Sequence, residues 1–176
     1  GDLLRAIHDA FRRDLGAIRD EVARGGGLGA QLRVNCLMFC GGMQHHHQNE
    51  DGDLFPYLRD RLPELAPVLD RLHEQHEVLA GLLNDLQKAV TSGTAGNVPT
   101  TGDVPTAGDL VATVDRLVTA IEAHLEDEEA QLVPLLNTQR RDEDGLTINH
   151  VTGPDTFDTV RAVLSALSAS PPPLPP

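Results

Sequence analysis

"HHQNEDGDLFPYL" (46–58) and "HLEDEEAQLVPLL" (124–136) are built on one skeleton. Each runs His, three residues, Glu, an acid, two residues, Leu, an apolar residue, Pro, one residue, Leu, and the copies start 78 residues apart. Imidazoles, carboxylates and an apolar Leu-Phe-Pro crowd the first of them, in an otherwise ordinary acidic chain. What these two cassettes do depends on the periodic segments that carry them.

Four amphipathic stripes are legible. Residues 2–24 place Leu4, His8, Phe11, Leu15, Ile18 and Val22 at alternating steps of four and three, the seam of a bundle helix. "GGG" at 25–27 breaks that helix. The second stripe reads Leu28, Leu32, Cys36, Phe39, Met43, His46, Glu50, and Gly52, Pro56 and Pro63 predict an end or kink beyond it. The third reads Leu65, Leu69, Leu72, His76, Leu79, Leu83, Leu86, Val90. After a Gly-, Pro- and Thr-rich loop, the fourth reads Leu110, Val114, Leu117, Ile121, His124, Glu128, Leu132, Leu135.

These stripes predict an all-α protein, an up-down-up-down four-helix bundle over residues 1–141. Residues 142–176 read as a C-terminal extension, with a short capping helix in "PDTFDTVRAVLSAL" (154–167) and an extended "PPPLPP" tail.

Composition narrows the function. A net charge of −13 and a pI near 4.8 leave no basic face for a phosphate backbone, which excludes nucleic acid as a partner. No apolar run approaches the ~20 residues of a membrane span. Cys36 and Cys40 are the chain's two cysteines, and four residues apart on a helix their Cβ atoms stand about 5–6 Å apart, too wide for a disulfide. They read as core thiols of a cytoplasmic protein.

Each stripe is interrupted once by histidine, and two add a glutamate one turn later. The 29 seam positions would hold about 1.3 histidines by composition alone, and they hold four. His8 and His76 lie roughly 24 and 22 Å before the ends of their helices, and His46 and His124 roughly 27 and 22 Å after the starts of theirs, at 1.5 Å per residue, so an antiparallel bundle brings all four to one level. Unpaired polar groups in a core are costly. Metal ions resolve that cost, because imidazole nitrogens and carboxylate oxygens become ligands. The spacing of four stacks His46 on Glu50 and His124 on Glu128, and four His with two Glu suit a pair of transition-metal ions, iron above zinc or manganese.

Other residues carry plainer readings. Of the run His45-His46-His47, the repeat selects His46, because His47 aligns with Leu125; His45 and His47 are expected at the surface, with a ligand role for His47 as the lesser alternative. His73 is expected in the surroundings of the site or in solvent, and His150 in the tail as inert. Tyr57 aligns with Leu135, an inward position, and is a candidate proton or electron donor to the metals, with a core tyrosine as the ordinary alternative.

The ordered set His8, His46-x-x-x-Glu50, His76, His124-x-x-x-Glu128, with "LFP" and "LVP" after the cassettes, resembles the hemerythrin-like, or HHE cation-binding, family over about residues 2–140. The resemblance implies two non-heme iron ions, oxo- or hydroxo-bridged, meeting hydrogen peroxide, dioxygen or nitric oxide. Oxygen-carrying hemerythrins have His-x-x-x-His on helix three and an aspartate five residues after the helix-four histidine. Here Leu72 and Ala80 stand four residues either side of His76, and the last acid is Glu128. One iron would then lack a third imidazole, which speaks against reversible oxygen carriage. The leading expectation is therefore a catalase-like enzyme. A dioxygen, nitric oxide or iron binder without turnover is the alternative, and a structural zinc or metal-free interaction module is the third.

Overall fold

The computed structural model describes residues 1–25, 28–92 and 107–139, all-helical apart from short turns. The chain forms α1 (Asp2–Ala23), α2 (Ala30–Asn49), a π-helical turn (Glu50–Leu54), α3 (Phe55–Arg61), a 3₁₀ turn (Pro63–Leu65), α4 (Ala66–Thr91) and α5 (Ala107–Gln139). The 154–167 helix, the "PPPLPP" tail and His150 lie outside the described residues.

Local chemistry explains the boundaries. α1 stops at Gly25, whose φ of 71° suits a residue without Cβ. Helix two does not end at Gly52 or Pro56, as the sequence suggested it could. It passes through the π turn into α3, and Pro56, at the second position of α3, lacks the N–H that would bond back into that wider turn. The break comes at Leu62 (φ −135°, ψ 72°), because the residue before a proline avoids the helical region. Pro63 and Pro67 then start the 3₁₀ turn and α4.

The four long segments close into a ring, α1 beside α2, α2 beside α4, α4 beside α5, and α5 beside α1. Partner numbers run in opposite senses across every seam. Arg5 meets Glu129 and Arg19 meets Asp115 between α1 and α5. Phe11 packs edge-on against Phe39 while His8 meets His46. Cys40 lies against the Leu83 carbonyl while His47 lies on His76. Leu69 and Leu72 share a cluster with Leu132 and Leu136 at the opposite end from Leu83 and Leu110. Neighbours are antiparallel throughout, so His8, His46, His76 and His124 come to one level.

Aliphatic side chains fill the interior in two lobes. The larger holds Phe11, Leu15, Ile18, Leu32, Cys36, Phe39, Leu83, Leu117 and Ile121 among others. The smaller holds Leu4, Phe55, Leu58, Leu69, Leu72, Leu132, Val133 and Leu136. Burying a Leu or Phe removes apolar surface worth about 1.5–3 kcal/mol per side chain, so these lobes carry the fold. The surface ion pairs contribute at most about 1 kcal/mol each and mainly fix register. Both cysteines are buried free thiols, and burial pushes them up to about 11 for Cys36 and about 12 for Cys40, so neither is a reactive thiolate. No helix among the described residues is long and apolar enough to cross a membrane.

Candidate metal centre

Between the two lobes lies a layer of polar side chains. His8, His46, His47, Glu50, His76, His124 and Glu128 are all buried, none more than 8 % exposed. The six residues singled out by spacing therefore do meet at one level. A seventh, His47, joins them, which corrects the expectation that it faces solvent; His45 is exposed as expected. The reason is the width of the buried face of α2. Cys36, Phe39, Cys40, Met43, His46, His47 and Glu50 are all inside, a stripe two residues wide rather than a single seam. Two signals pointed that way: Cys40 lies two turns before His47, and Leu125, the residue His47 aligns with, is fully buried.

The donors fall into two groups. In one, His8, His46, Glu50 and Glu128 bring one ligand atom each to within 4.8 Å of one another; in the other, His47, His76 and His124 do the same. A cation about 2.0–2.2 Å from each donor keeps its ligands within about 4.4 Å of each other, so both groups are within a few tenths of an ångström of the spacing a bound ion needs. The carboxylates stand between them. Glu50 turns Oε1 to His46 Nε2 at 3.2 Å and Oε2 to His76 Nε2 at 3.7 Å. Glu128 Oε2 lies 3.4 Å from His8 Nε2 and 3.6 Å from His124 Nε2. His8 Nε2 and His46 Nε2 converge to 3.1 Å. His47 stacks on His76 with centroids 4.1 Å apart and planes 9° apart, and meets His124 edge-on at 5.1 Å.

The opposite edges of three rings are anchored. His8 Nδ1 lies 3.0 Å from Glu129 Oε1, His76 Nδ1 lies 2.9 Å from Asp51 Oδ1, and His124 Nδ1 lies 2.9 Å from Gln75 Oε1. Each acceptor requires Nδ1 to carry the proton, which leaves Nε2 with a lone pair aimed inward. Arg12 holds Glu129 at 2.7 Å. Asp51 also pairs at 3.0 Å with His73, which is exposed and joins the surroundings of the site through that carboxylate.

These inward atoms are what test the fit to metal. Among the described residues, His47 Nε2, His76 Nε2, His124 Nε2 and both oxygens of Glu50 and Glu128 are buried without a hydrogen-bond partner. A proton shared between Glu50 and Glu128 would satisfy part of the carboxylate pair, but the three imidazole nitrogens and the remaining oxygens still conflict with the rule that buried polar groups are satisfied, and cations would take the role of partner. Electrostatics agree. Burial holds His8 down to about 4 and His124 down to about 3, and lowers His76; burial, then neighbouring imidazoles, lowers His46 and His47. Neutral imidazole is the ligating form. Burial, then the charge of Glu128, pushes Glu50 well up, and burial pushes Glu128 up to about 7. Two carboxylates side by side want a positive charge between them.

Tyr57 is half-buried against the smaller lobe, with the Arg61 guanidinium 5.2 Å from its ring centroid. The inward positions at this end of the cassettes are Leu58 and Leu136; Tyr57 and its counterpart Leu135 are both half-buried, so the alignment placed the tyrosine one step off the core. Its hydroxyl is buried and has no hydrogen-bond partner among the described residues.

A closed ring of antiparallel helices around a His/Glu layer defines a helical-bundle protein with a cation-binding interior. The family model for the hemerythrin HHE cation-binding domain matches residues 1–136, and the chain belongs to that family. No curated protein and no solved structure matches it.

Proposed function

We propose that the chain is a non-heme di-iron protein that admits a small oxidant ligand to one of its two ions. His47, His76 and His124 would hold one ion, His8 and His46 the other, and Glu50 and Glu128 would be shared. The observation that carries the reading is this division of five imidazoles around two carboxylates. It offers five donors on one side and four on the other, so against a six-coordinate preference the two-imidazole side is left more open. Bound there, iron supplies Lewis acidity and reversible one-electron chemistry to a ligand such as dioxygen, nitric oxide or hydrogen peroxide.

The chain's own residues do the rest. Glu129, Asp51 and Gln75 hold three imidazoles in the tautomer that presents Nε2. The leucine lobes above and below exclude water, which strengthens every charge interaction between them. His47 weakens the case for peroxide turnover, because that case rested on a lacking third imidazole. Binding of a small ligand therefore leads, and catalase-like decomposition of peroxide follows as the second reading. What favours the second is the buried Tyr57 hydroxyl, which has no hydrogen-bond partner among the described residues and would serve as a proton or electron donor if it reaches the ions.

Metal analysis and absorption spectra of the freshly purified chain test the proposal. Two irons per chain, with a visible spectrum that changes on adding azide, nitric oxide or oxygen to the appropriate redox state, is the expected result. One zinc or no metal after anaerobic iron reconstitution would sink it. Oxygen evolution from peroxide that exceeds the His124→Ala background would move the second reading to the front.

A further inference from the structure

The three anchored imidazoles are not anchored alike. His8 and His76 each give their Nδ1 proton to a carboxylate, Glu129 and Asp51. His124 gives its own to an amide oxygen, that of Gln75. Which end of an amide faces a partner is decided by its other contacts. Here the Gln75 Nε2 donates at 3.0 Å to Asp127 Oδ2, so the nitrogen is committed and the oxygen must face the ring. Asp127 is itself fixed by a two-pronged Arg71 contact, both N–H···O distances being 3.0 Å. The Arg71–Asp127–Gln75 chain thus ends in a rigid, uncharged acceptor. The negative charge of Asp127 is spent on arginine before it reaches the imidazole.

We infer that Gln75 is a positioning residue that holds His124 in its Nδ1–H tautomer and, being neutral, leaves that imidazole a weaker electron donor than the two backed by carboxylates. The inference rests on the proposed di-iron reading for its redox consequence, though not for the tautomer. Partners of this kind alter metal affinity by about 10–100-fold when removed, and a carboxylate partner raises the basicity of the ring it holds. Gln75 and His124 also line a groove of about 370 Å³ between α4 and α5, with Arg71, Val78, Ala120 and Ala123, so the contact lies within reach of solvent. A change at Gln75 therefore need not disturb the leucine lobes.

Three forms of the full chain separate the alternatives: wild type, Gln75→Leu, and the exchange Gln75→Glu with Asp127→Asn, which moves the acid next to the ring and the amide next to Arg71. Long-range proton–nitrogen NMR of the metal-free protein reads the tautomer of His124. Wild type and the exchange should be Nδ1–H, and Gln75→Leu should shift toward Nε2–H. Competition with a chelator should show Gln75→Leu holding iron 10–100-fold more weakly. The exchange should restore affinity and lower the midpoint potential of the bound iron. Retention of the Nδ1–H form and of wild-type iron affinity in Gln75→Leu would overturn the inference, and so would an unmoved potential in the exchange. Should Gln75→Leu fail to fold, the exchange alone decides through its potential. A wild-type chain that binds no iron would remove the di-iron reading while the tautomer result still stands for or against Gln75.

Discussion

His47 is the residue on which the character of the centre turns. With it, the layer has five imidazoles divided three and two; without it, four divided evenly. Its Nε2 is buried without a hydrogen-bond partner among the described residues, and burial with four neighbouring imidazoles keeps it uncharged. His47→Ala should therefore cost the three-imidazole side an ion or a large part of its affinity, lowering iron content from two toward one per chain. His45→Ala, one residue away and exposed, should leave content and spectrum as they are. Equal metal content in the two variants would contradict the role assigned to His47. The comparison also marks what the sequence could yield. Spacing found six buried donors because each sits on a helical seam. It passed over the seventh because the repeat was read as a line, whereas α2 buries a band in which Cys40 and His47 run beside Cys36, Phe39 and His46.

At the scale of elements, the departure from regularity is the π turn at Glu50–Leu54. Such turns insert one residue into a helix and recur at functional sites. Here the turn starts at a proposed ligand, and it is where Glu50 reaches His46 and His76 while the next residue, Asp51, reaches the far nitrogen of His76. Two consecutive acids thus serve the two edges of one site. Gly52 and Pro56 signalled irregularity in the sequence, but neither says whether a helix stops or widens; that depends on packing of Phe55 and Leu58 into the smaller lobe. Glycine elsewhere in the helices is a different matter. Gly81 lies inside α4, and a Cβ there would meet nothing within 4 Å. Gly81→Ala should stabilise the fold by about 0.5–1 kcal/mol, since alanine is the better helix former. A melting temperature at or below wild type would mean that α4 needs a flexibility its contacts do not reveal.

For the whole molecule, the polar layer makes stability depend on pH in two opposed ways. His8 and His124 are held at about 4 and about 3, below the 6.5 of an unfolded imidazole, so the unfolded chain takes up protons first. Folding stability is therefore lost as pH falls from about 6.5 toward 4 and below. Glu128 is raised to about 7 from 4.5, so its contribution is full below 4.5 and lost as pH rises through 7. Metal-free protein should thus melt lower at either side of the mildly acid range than within it, and Glu128→Gln should reduce the loss on raising the pH from 5 to 7.5, leaving the part that belongs to Glu50, which burial also pushes up. Thermal denaturation of the chelator-treated protein across pH 3–9 checks both limbs. Metal loading should instead release protons, because cations require the carboxylates bare and the imidazoles uncharged. The bundle itself was legible from four clean stripes. The partition into two donor groups was not, because it depends on which oxygen of Glu50 and Glu128 faces which ring, and no spacing encodes that.

The division of the interior into two lobes bears on how the chain comes apart. The smaller lobe joins Leu4 of α1, Phe55 and Leu58 of α3, Leu69 and Leu72 of α4, and Leu132, Val133 and Leu136 of α5, and among the described residues it is a cluster separate from the larger, with the layer of unsatisfied donors between them. Emptied of cations, that stratum is a fault plane. Amide hydrogen exchange should then register the Leu4, α3 and Leu132–Leu136 segments opening as one cooperative unit well before Leu83 or Leu117, and iron should bring their protection back to that of the rest. On this view the proposed ions would act as a rivet through the bundle as well as a reagent.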